Sequence, residues 1–103
     1  MILELRSDLP VYVFYEKPAH KFFEKHKDLQ KRYEDSIKEL HHGEHPEKVD
    51  IKFLEGKQGE YYRIRLGKWR VIFTVERNII IVNTLEAGSR GDIYKKIGGL
   101  KLF

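Results

Sequence analysis

The stretch from Tyr61 to Lys96 constrains the fold most, because apolar and basic residues alternate along it in short runs. Alternation with a period of two predicts β-strands that have one apolar and one charged face. We expect three strands, at about Tyr61–Leu66, Trp69–Glu76 and Ile79–Leu85. Gly67-Lys68 and Arg77-Asn78 fit two-residue hairpin turns, with Gly67 supplying a positive φ. The second half of the chain is therefore predicted to form an antiparallel sheet.

The same stretch carries the excess positive charge of the chain. It holds eight basic and three acidic residues, an excess of five positive charges, whereas the remainder holds 12 basic and 13 acidic residues. A basic field confined to one region favours a phosphate-bearing or acidic partner, although a merely soluble basic surface is the simpler alternative. We infer that the polyanion is RNA.

Length and composition exclude several classes of protein. A chain of 103 residues is expected to form one domain over residues 1–103. The hydrophobic fraction of 41% is too high for a disordered chain. The longest apolar run, Ile79 to Val82, is too short to span a membrane, and no leader pattern opens the chain. We therefore expect a cytoplasmic protein with no membrane partner. The chain has no cysteine, which excludes disulfides and thiolate metal sites.

A strand and a helical segment are predicted before the sheet. Val11 to Tyr15 is rich in β-branched and aromatic residues. Apolar residues then recur at helical spacing from about Pro18 to His42, which predicts a helical hairpin or one bent helix. Asp28 is expected to cap a second helix, and Gly43 to end it. A short extended piece at Lys52 to Leu54 would add a strand. The predicted fold class is α+β: an N-terminal strand, a helical hairpin, then a three- to four-stranded antiparallel sheet.

Three histidines lie close together at His41, His42 and His45. They lack the regular spacing and the further ligands of a metal site, and no cysteine is available. We therefore predict no metal and no small-molecule cofactor.

The hairpin register predicts a cluster of arginines. A two-residue turn at Gly67-Lys68 pairs Arg65 with Arg70, and directly paired residues point to the same side of a sheet. Since side chains alternate along a strand, Arg63 lies on that side too. Arg63, Arg65 and Arg70 are therefore expected to converge on one face, whereas Trp69 and Phe73 pack on the other.

This cluster indicates either an anion or an internal counterion. Like charges directly opposite each other on a sheet destabilise it by up to about 1 kcal/mol. Guanidinium groups bind phosphate in a bidentate manner, so an RNA phosphate between Arg65 and Arg70 would offset the repulsion. The alternative is that a carboxylate neutralises the cluster within the protein; the candidates are Glu55, Glu60 and Glu86.

Further candidate residues flank the cluster. Arg90 and Tyr94 follow the third strand, where Arg90 would swing over the same face and Tyr94 would stack on a base. The residues assigned to additional RNA contacts are Tyr61, Lys68, Lys95 and Lys96.

The pattern YYRIRLGKWRVIFTVE, followed by a strand and by GSRGDIYKK, resembles the RelE/ParE superfamily of toxins from bacterial toxin–antitoxin pairs. The resemblance covers about Val11 to Lys96, and it implies a RelE-like fold. It also implies one of two activities on that fold. The RelE-like branch cuts mRNA in the ribosomal A site, and the ParE-like branch inhibits DNA gyrase without acting as a nuclease.

The resemblance implies which residues form the site. Basic residues in the first two hairpin strands, an arginine after the last strand and a tyrosine near the end match Arg63, Arg65, Arg70, Arg90 and Tyr94. Arginine stands where some RelE members have lysine, and arginine is a much poorer general base. Some relatives use a glutamate with a histidine instead. Glu47 and the neighbouring histidines are candidates for that pair, at a spacing that does not match well.

The resemblance further implies a metal-independent endoribonuclease in which the 2′-hydroxyl of the RNA attacks the adjacent phosphate. Arg63 and Arg70 would stabilise the developing charge, and Arg90 would act near the leaving group. Tyr94 would orient the nucleotide, and Arg65 would position it or act as a weak base. The implied partners are the ribosome, mRNA and a cognate antitoxin protein. The alternatives are a gyrase inhibitor and an inactive basic RNA-binding module.

Overall fold

The computed structural model describes residues 5–56, 59–76, 80–89 and 101–102. Its elements, in chain order, are β1 (Val11–Tyr15), α1 (Lys17–Glu24), α2 (Lys27–His42), a 3₁₀ turn (Pro46–Lys48), β2 (Ile51–Gly56), β3 (Gly59–Leu66), β4 (Trp69–Glu76), β5 (Ile80–Ser89) and β6 (Lys101–Leu102). The fold class is α+β, as predicted.

The strands form one mixed sheet in the order β1-β5-β4-β3-β2-β6. Strands β2 to β5 pair antiparallel, and β1 pairs parallel with β5 at one edge. The sheet is larger than predicted, because β1 joins it and because β2 extends the piece expected at Lys52 to Leu54 over the whole of Ile51–Gly56. Alternation along one strand does not reveal such distant partners.

The turn between β3 and β4 fixes the register of the central hairpin. Gly67 adopts a φ of 63°, a left-handed conformation that side chains disfavour, and it forms the turn with Lys68. Leu66 therefore pairs with Trp69, and Arg65 with Arg70, as predicted. The turn expected at Arg77-Asn78 lies outside the described residues.

A helical hairpin covers one face of the sheet. Pro18 lies in the first turn of α1, where its missing N–H has no partner to lose. The prediction that Asp28 caps α2 is wrong, because His26 occupies the N-cap position. Asp28 lies in the first turn instead, where its negative charge interacts favourably with the helix dipole. Gly43 ends α2, as expected, and its N–H donates to the carbonyl of Glu39 at 2.9 Å.

The main core lies between the helices and the sheet. Apolar side chains from both layers are almost completely buried there; they include Phe23, Leu29, Ile37 and Leu40 from the helices and Ile64, Val71, Phe73 and Val82 from the sheet. Tyr33 is fully buried too, and its hydroxyl lies 2.7 Å from the hydroxyl of Thr84, so that neither polar group is left unpaired. Burial raises the pKa of Tyr33 strongly, which keeps the phenol neutral.

A β-bulge interrupts the pairing of β4 with β5. Ile72 pairs with Glu86 and Phe73 pairs with Thr84, so Leu85 has no direct partner on β4. A bulge adds one residue to a strand and bends it. Because of the extra residue, side chains of β5 before and after the bulge alternate out of step with each other. The bulge directly follows Thr84, the last residue of β5 that pairs with β1.

No helix in the described ranges is both long enough and apolar enough to cross a membrane.

Candidate nucleic-acid interface

Three arginines share the sheet face that points away from the helices. Arg63 pairs with Ile72, and Arg65 pairs with Arg70, so the three guanidinium groups lie on the same side of neighbouring strands. We call Arg63, Arg65 and Arg70 the arginine cluster. Trp69 and Phe73 pack on the helix-covered face, as the alternation predicts.

The hairpin turn holds two members of the cluster together. The carbonyl oxygen of Gly67 accepts a hydrogen bond from Nε of Arg65 at 3.2 Å and another from Nη1 of Arg70 at 3.0 Å. Nη1 of Arg70 also donates to the carbonyl of Trp69 at 3.3 Å. A carbonyl oxygen has two lone pairs and can accept from both groups. The turn that sets the register therefore also provides the acceptor that offsets the repulsion between Arg65 and Arg70.

Asp50 is the carboxylate that neutralises part of the cluster. Its Oδ1 lies 2.6 Å from Nη2 of Arg63, and its Oδ2 lies 3.8 Å from Nη1 of Arg65. The backbone carbonyl of Asp50 accepts from the N–H of Arg65 at 2.9 Å, which fixes the residue against β3. The internal counterion that the sequence offers as an alternative is Glu55, Glu60 or Glu86, a set that does not include Asp50. It lies 13 positions before Arg63 in a stretch without a regular pattern, so only the tertiary structure reveals the pair.

The three arginines differ in exposure. Arg63 is 5% exposed and Arg70 is 8% exposed, whereas the side chain of Arg65 is 52% exposed. Among the described residues, Nε of Arg63 is buried without a hydrogen-bond partner. Burial of a charge is costly unless the charge is paired. The sheet therefore carries two buried guanidinium groups on the face where an apolar core would be more stable.

A small apolar cluster accompanies the arginines. Leu54 and Ile72 are completely buried and contact each other, with Tyr61 and Leu85 packed against them. Tyr61 pairs with Leu54 across β2 and β3, so it lies on the face of the cluster. Its position agrees with the predicted RNA contact but does not test it. Lys68 lies in the turn with its Nζ 5.0 Å from the ring centre of Trp69.

Four of the predicted site residues lie outside the described part of the chain: Arg90, Tyr94, Lys95 and Lys96. Their placement next to the arginine cluster remains a prediction.

The predicted alternative base does not reach the cluster in any observed contact. His45 and Glu47 interact with each other, with Nδ1 of His45 3.2 Å from Oε2 of Glu47, and both side chains are exposed. A hydrogen bond from its own backbone N–H, supported by His45, lowers the pKa of Glu47. A lower pKa makes this carboxylate a weaker proton acceptor. Within the described ranges, no three His, Cys, Asp or Glu side chains are grouped as metal ligands.

A groove lies between α1 and the end of β5. Its volume is about 730 Å³, and it is lined on one side by residues of α1 and by His26, and on the other by Glu86 and Ala87. Sequence reasoning missed this groove, because it depends on the contact between α1 and β5.

Comparison with known proteins gives one informative match. No family model matches the chain, and no curated protein matches it. A solved structure does: a chain in the crystal structure of the archaeal RelE–RelB complex from Pyrococcus horikoshii OT3. The two chains are 26% identical and superpose with a TM-score of 0.59, over 80% of this chain and 97% of the archaeal one.

Proposed function

We propose that this chain, which resembles the RelE/ParE toxin superfamily and has the fold of a chain from a RelE–RelB complex, is the toxin of a type II toxin–antitoxin pair that cleaves translated mRNA on the ribosome. The observation that supports this most is the convergence of Arg63, Arg65 and Arg70 on one sheet face. The similarity to a chain from a RelE–RelB complex favours the nuclease branch of the superfamily over the gyrase-inhibiting branch.

The bonds that form and break in the proposed reaction all belong to the RNA. The 2′-oxygen attacks the adjacent phosphorus and forms a new P–O bond, and the bond from phosphorus to the 5′-oxygen breaks. The 2′-hydroxyl loses a proton, and the departing 5′-oxygen gains one. The products are a 2′,3′-cyclic phosphate and a 5′-hydroxyl. The protein must stabilise the charge that develops on the phosphate oxygens and assist both proton transfers.

The exposure of each arginine suggests an order of contact. Arg65 reaches solvent and makes the first contact with the scissile phosphate, which it positions. Arg63 and Arg70 are buried, so they act once the RNA is seated, when their charges stabilise the transition state. Preorganised charges are most effective where water is excluded. We retain Arg90 as the group that protonates the leaving oxygen and Tyr94 as the residue that orients the nucleotide.

The described part of the site provides positive charge for the phosphate but no good general base for the 2′-hydroxyl. Arginine remains protonated at any physiological pH. Asp50 is half exposed, but its carboxylate is engaged by Arg63. In-line positioning of the 2′-hydroxyl can lower the activation barrier by several kcal/mol. We propose that the ribosome provides this positioning, and we expect little activity on free RNA in the cytoplasm.

The partner that restrains the toxin is proposed to be a cognate antitoxin, and edge strand β1 is the surface that fits it. Leu9, Tyr12 and Phe14 are about half exposed, at 50%, 49% and 54%. Strand β1 contains no charge, proline or glycine, the features that usually protect an edge from pairing. An extended antitoxin segment can add a strand at such an edge.

The exposed aromatic residues of β1 lie on the same sheet face as the arginine cluster. Tyr12 pairs with Ile81 and Phe14 pairs with Asn83, which pairs with Thr74, so both aromatic side chains share the sheet face of the arginines. Three strand spacings separate β1 from β3, about 14 Å. An antitoxin with apolar residues over β1 and acidic residues beyond them would cover both regions.

A growth assay with and without co-expressed antitoxin distinguishes loss of antitoxin binding from loss of toxicity. We expect Phe14→Lys to remain toxic and to resist rescue by co-expressed antitoxin, because a lysine replaces an exposed apolar contact. Lys38→Ala, an exposed change on α2, should be rescued like the wild type. Full rescue of Phe14→Lys would exclude β1 from the interface.

Induced expression followed by mapping of RNA ends tests the proposed activity. New 5′-hydroxyl ends within translated messages are expected, and they should disappear when translation is blocked before induction. Arg90→Ala should abolish these ends while the domain stays folded. Intact messages together with altered DNA supercoiling would favour gyrase inhibition and contradict the proposal.

A further inference from the structure

Strand β2 borders the arginine cluster on one side, and its side chains have no part in the reaction as proposed above. Lys52 pairs with Arg63, and Leu54 pairs with Tyr61. Directly paired residues point to the same side of a sheet, so these four side chains share the face that points away from the helices. Lys52 therefore adds a fourth cation to this face, next to the three arginines.

The charge of Lys52 is available to a ligand. Lys52 is exposed, and it forms no hydrogen bond or ion pair with any residue that the structure describes. Asp50, the acidic residue two positions earlier, is engaged by Arg63 at 2.6 Å. Glu55 and Glu60 pair with each other across β2 and β3, and by alternation they point to the opposite face. The ammonium group of Lys52 is therefore directed to solvent.

The position of Lys52 suits a second phosphate rather than the scissile one. Strand β3 separates Lys52 from Arg70, and two strand spacings amount to about 10 Å. Lys52 is also a diagonal neighbour of Arg65, with Cα atoms about 7–8 Å apart. If Arg65 and Arg70 hold the scissile phosphate, an RNA backbone that continues toward β2 brings its next phosphate to Lys52.

Tyr61 provides an aromatic ring beside Lys52. The two residues are diagonal neighbours on β3 and β2. The ring of Tyr61 is only partly buried, and it packs against Leu54 and Ile72, which are completely buried. Partly exposed rings on a packed support are the surfaces against which proteins stack single-stranded bases. A cation and a ring are thus placed side by side on the sheet face of the arginines.

We propose that Lys52 and Tyr61 form a subsite for the nucleotide next to the scissile phosphate, in which Lys52 binds the phosphate of that nucleotide and Tyr61 stacks on its base. The inference rests on the proposed function, because it takes the arginine cluster as the place of the scissile phosphate. Neither side chain touches the reacting atoms, so both act by positioning the RNA. Every base has a π-face, so this subsite does not by itself select a sequence.

RNA binding at several salt concentrations tests the two contacts separately. The toxin is made by cell-free synthesis and titrated with a short fluorescent 2′-O-methyl oligoribonucleotide, which lacks the attacking hydroxyl; fluorescence anisotropy reports the binding. Lys52→Ala should reduce the slope of log K against log salt concentration by about 0.7, the effect of one lost phosphate contact on a single strand. Tyr61→Leu should weaken binding about fivefold or more without changing that slope.

Matched variants separate the subsite from general attraction to RNA. Lys38→Ala removes the same charge from α2, on the other side of the sheet, and should leave the slope unchanged. Tyr61→Phe retains the ring and should bind like the wild type. Lys52 is exposed, so its removal leaves the fold intact, and urea denaturation checks this for each variant. A wild-type slope for Lys52→Ala, or equal binding by Tyr61→Leu and Tyr61→Phe, would overturn the proposal.

The titration does not depend on cleavage, so failure of the subsite and failure of the proposed function give different results. Cutting in cells together with binding that the variants leave unchanged would count against the subsite alone. The expected changes in binding without cutting in cells would support the subsite and count against the nuclease activity. Absence of RNA binding by the wild type would overturn both.

Discussion

The helix-covered face of the sheet buries Phe73, Val71 and Val82 against apolar helix residues, whereas the opposite face buries Arg63 and Arg70 next to Ile72. Apolar burial stabilises a fold by about 25 cal/mol per Å². A buried ion pair often contributes less than apolar residues of the same size would. The difference indicates that the residues of the helix-covered face stabilise the fold, whereas those of the opposite face provide positive charge at some cost in stability.

The largest effect on stability is expected on the helix-covered face. Phe73 is fully buried, with its ring stacked against Tyr62 at 5.6 Å and in contact with Tyr33. Phe73→Ala should reduce the free energy of unfolding by about 3–5 kcal/mol, through lost burial and the cavity that remains. Urea denaturation measures this loss. A loss below about 1 kcal/mol would mean that the main core lies elsewhere.

An intermediate effect is expected from removing the counterion of the arginine cluster. Asp50→Ala leaves the guanidinium of Arg63 buried without its 2.6 Å partner. We expect a loss of about 1–3 kcal/mol in the free energy of unfolding. Asp35→Ala, which removes an exposed carboxylate paired with Lys31, is the matched control and should leave the unfolding curve unchanged. Equal curves for the two variants would show that Asp50 does not stabilise the cluster.

The smallest effect is expected when the ion pair is replaced as a whole. Arg63→Met combined with Asp50→Ala removes both charges and leaves an apolar side chain next to Ile72. Such replacements are often neutral or stabilising. We expect unfolding within about 1 kcal/mol of the wild type, together with loss of RNA cleavage. A double variant less stable than Asp50→Ala alone would contradict the view that this face gives up stability for charge.

The fold could be predicted from the sequence where local rules decide it. Gly67 permits the positive φ of a two-residue turn, and that turn fixes which arginines face each other. Residues that meet only in the tertiary structure could not be predicted. Asp50 has no pattern that points to Arg63, and the pairing of β1 with β5 joins residues about 70 positions apart. His26 takes the cap position that propensity assigned to Asp28, and its ring stacks on Phe22 and contacts Trp69, which are tertiary contacts that a capping propensity does not include.

The central claim, that the arginine cluster holds the scissile phosphate, is tested most directly by Arg65→Ala. Arg65 is the exposed member, so its removal should leave the unfolding curve within about 0.5 kcal/mol of the wild type. The measurement is the number of 5′-hydroxyl ends mapped in translated messages after induction of equal amounts of each protein. The account predicts a loss of about tenfold or more for Arg65→Ala relative to the wild type, equivalent to at least about 1.4 kcal/mol of transition-state stabilisation. Unchanged cutting by the folded variant would contradict it.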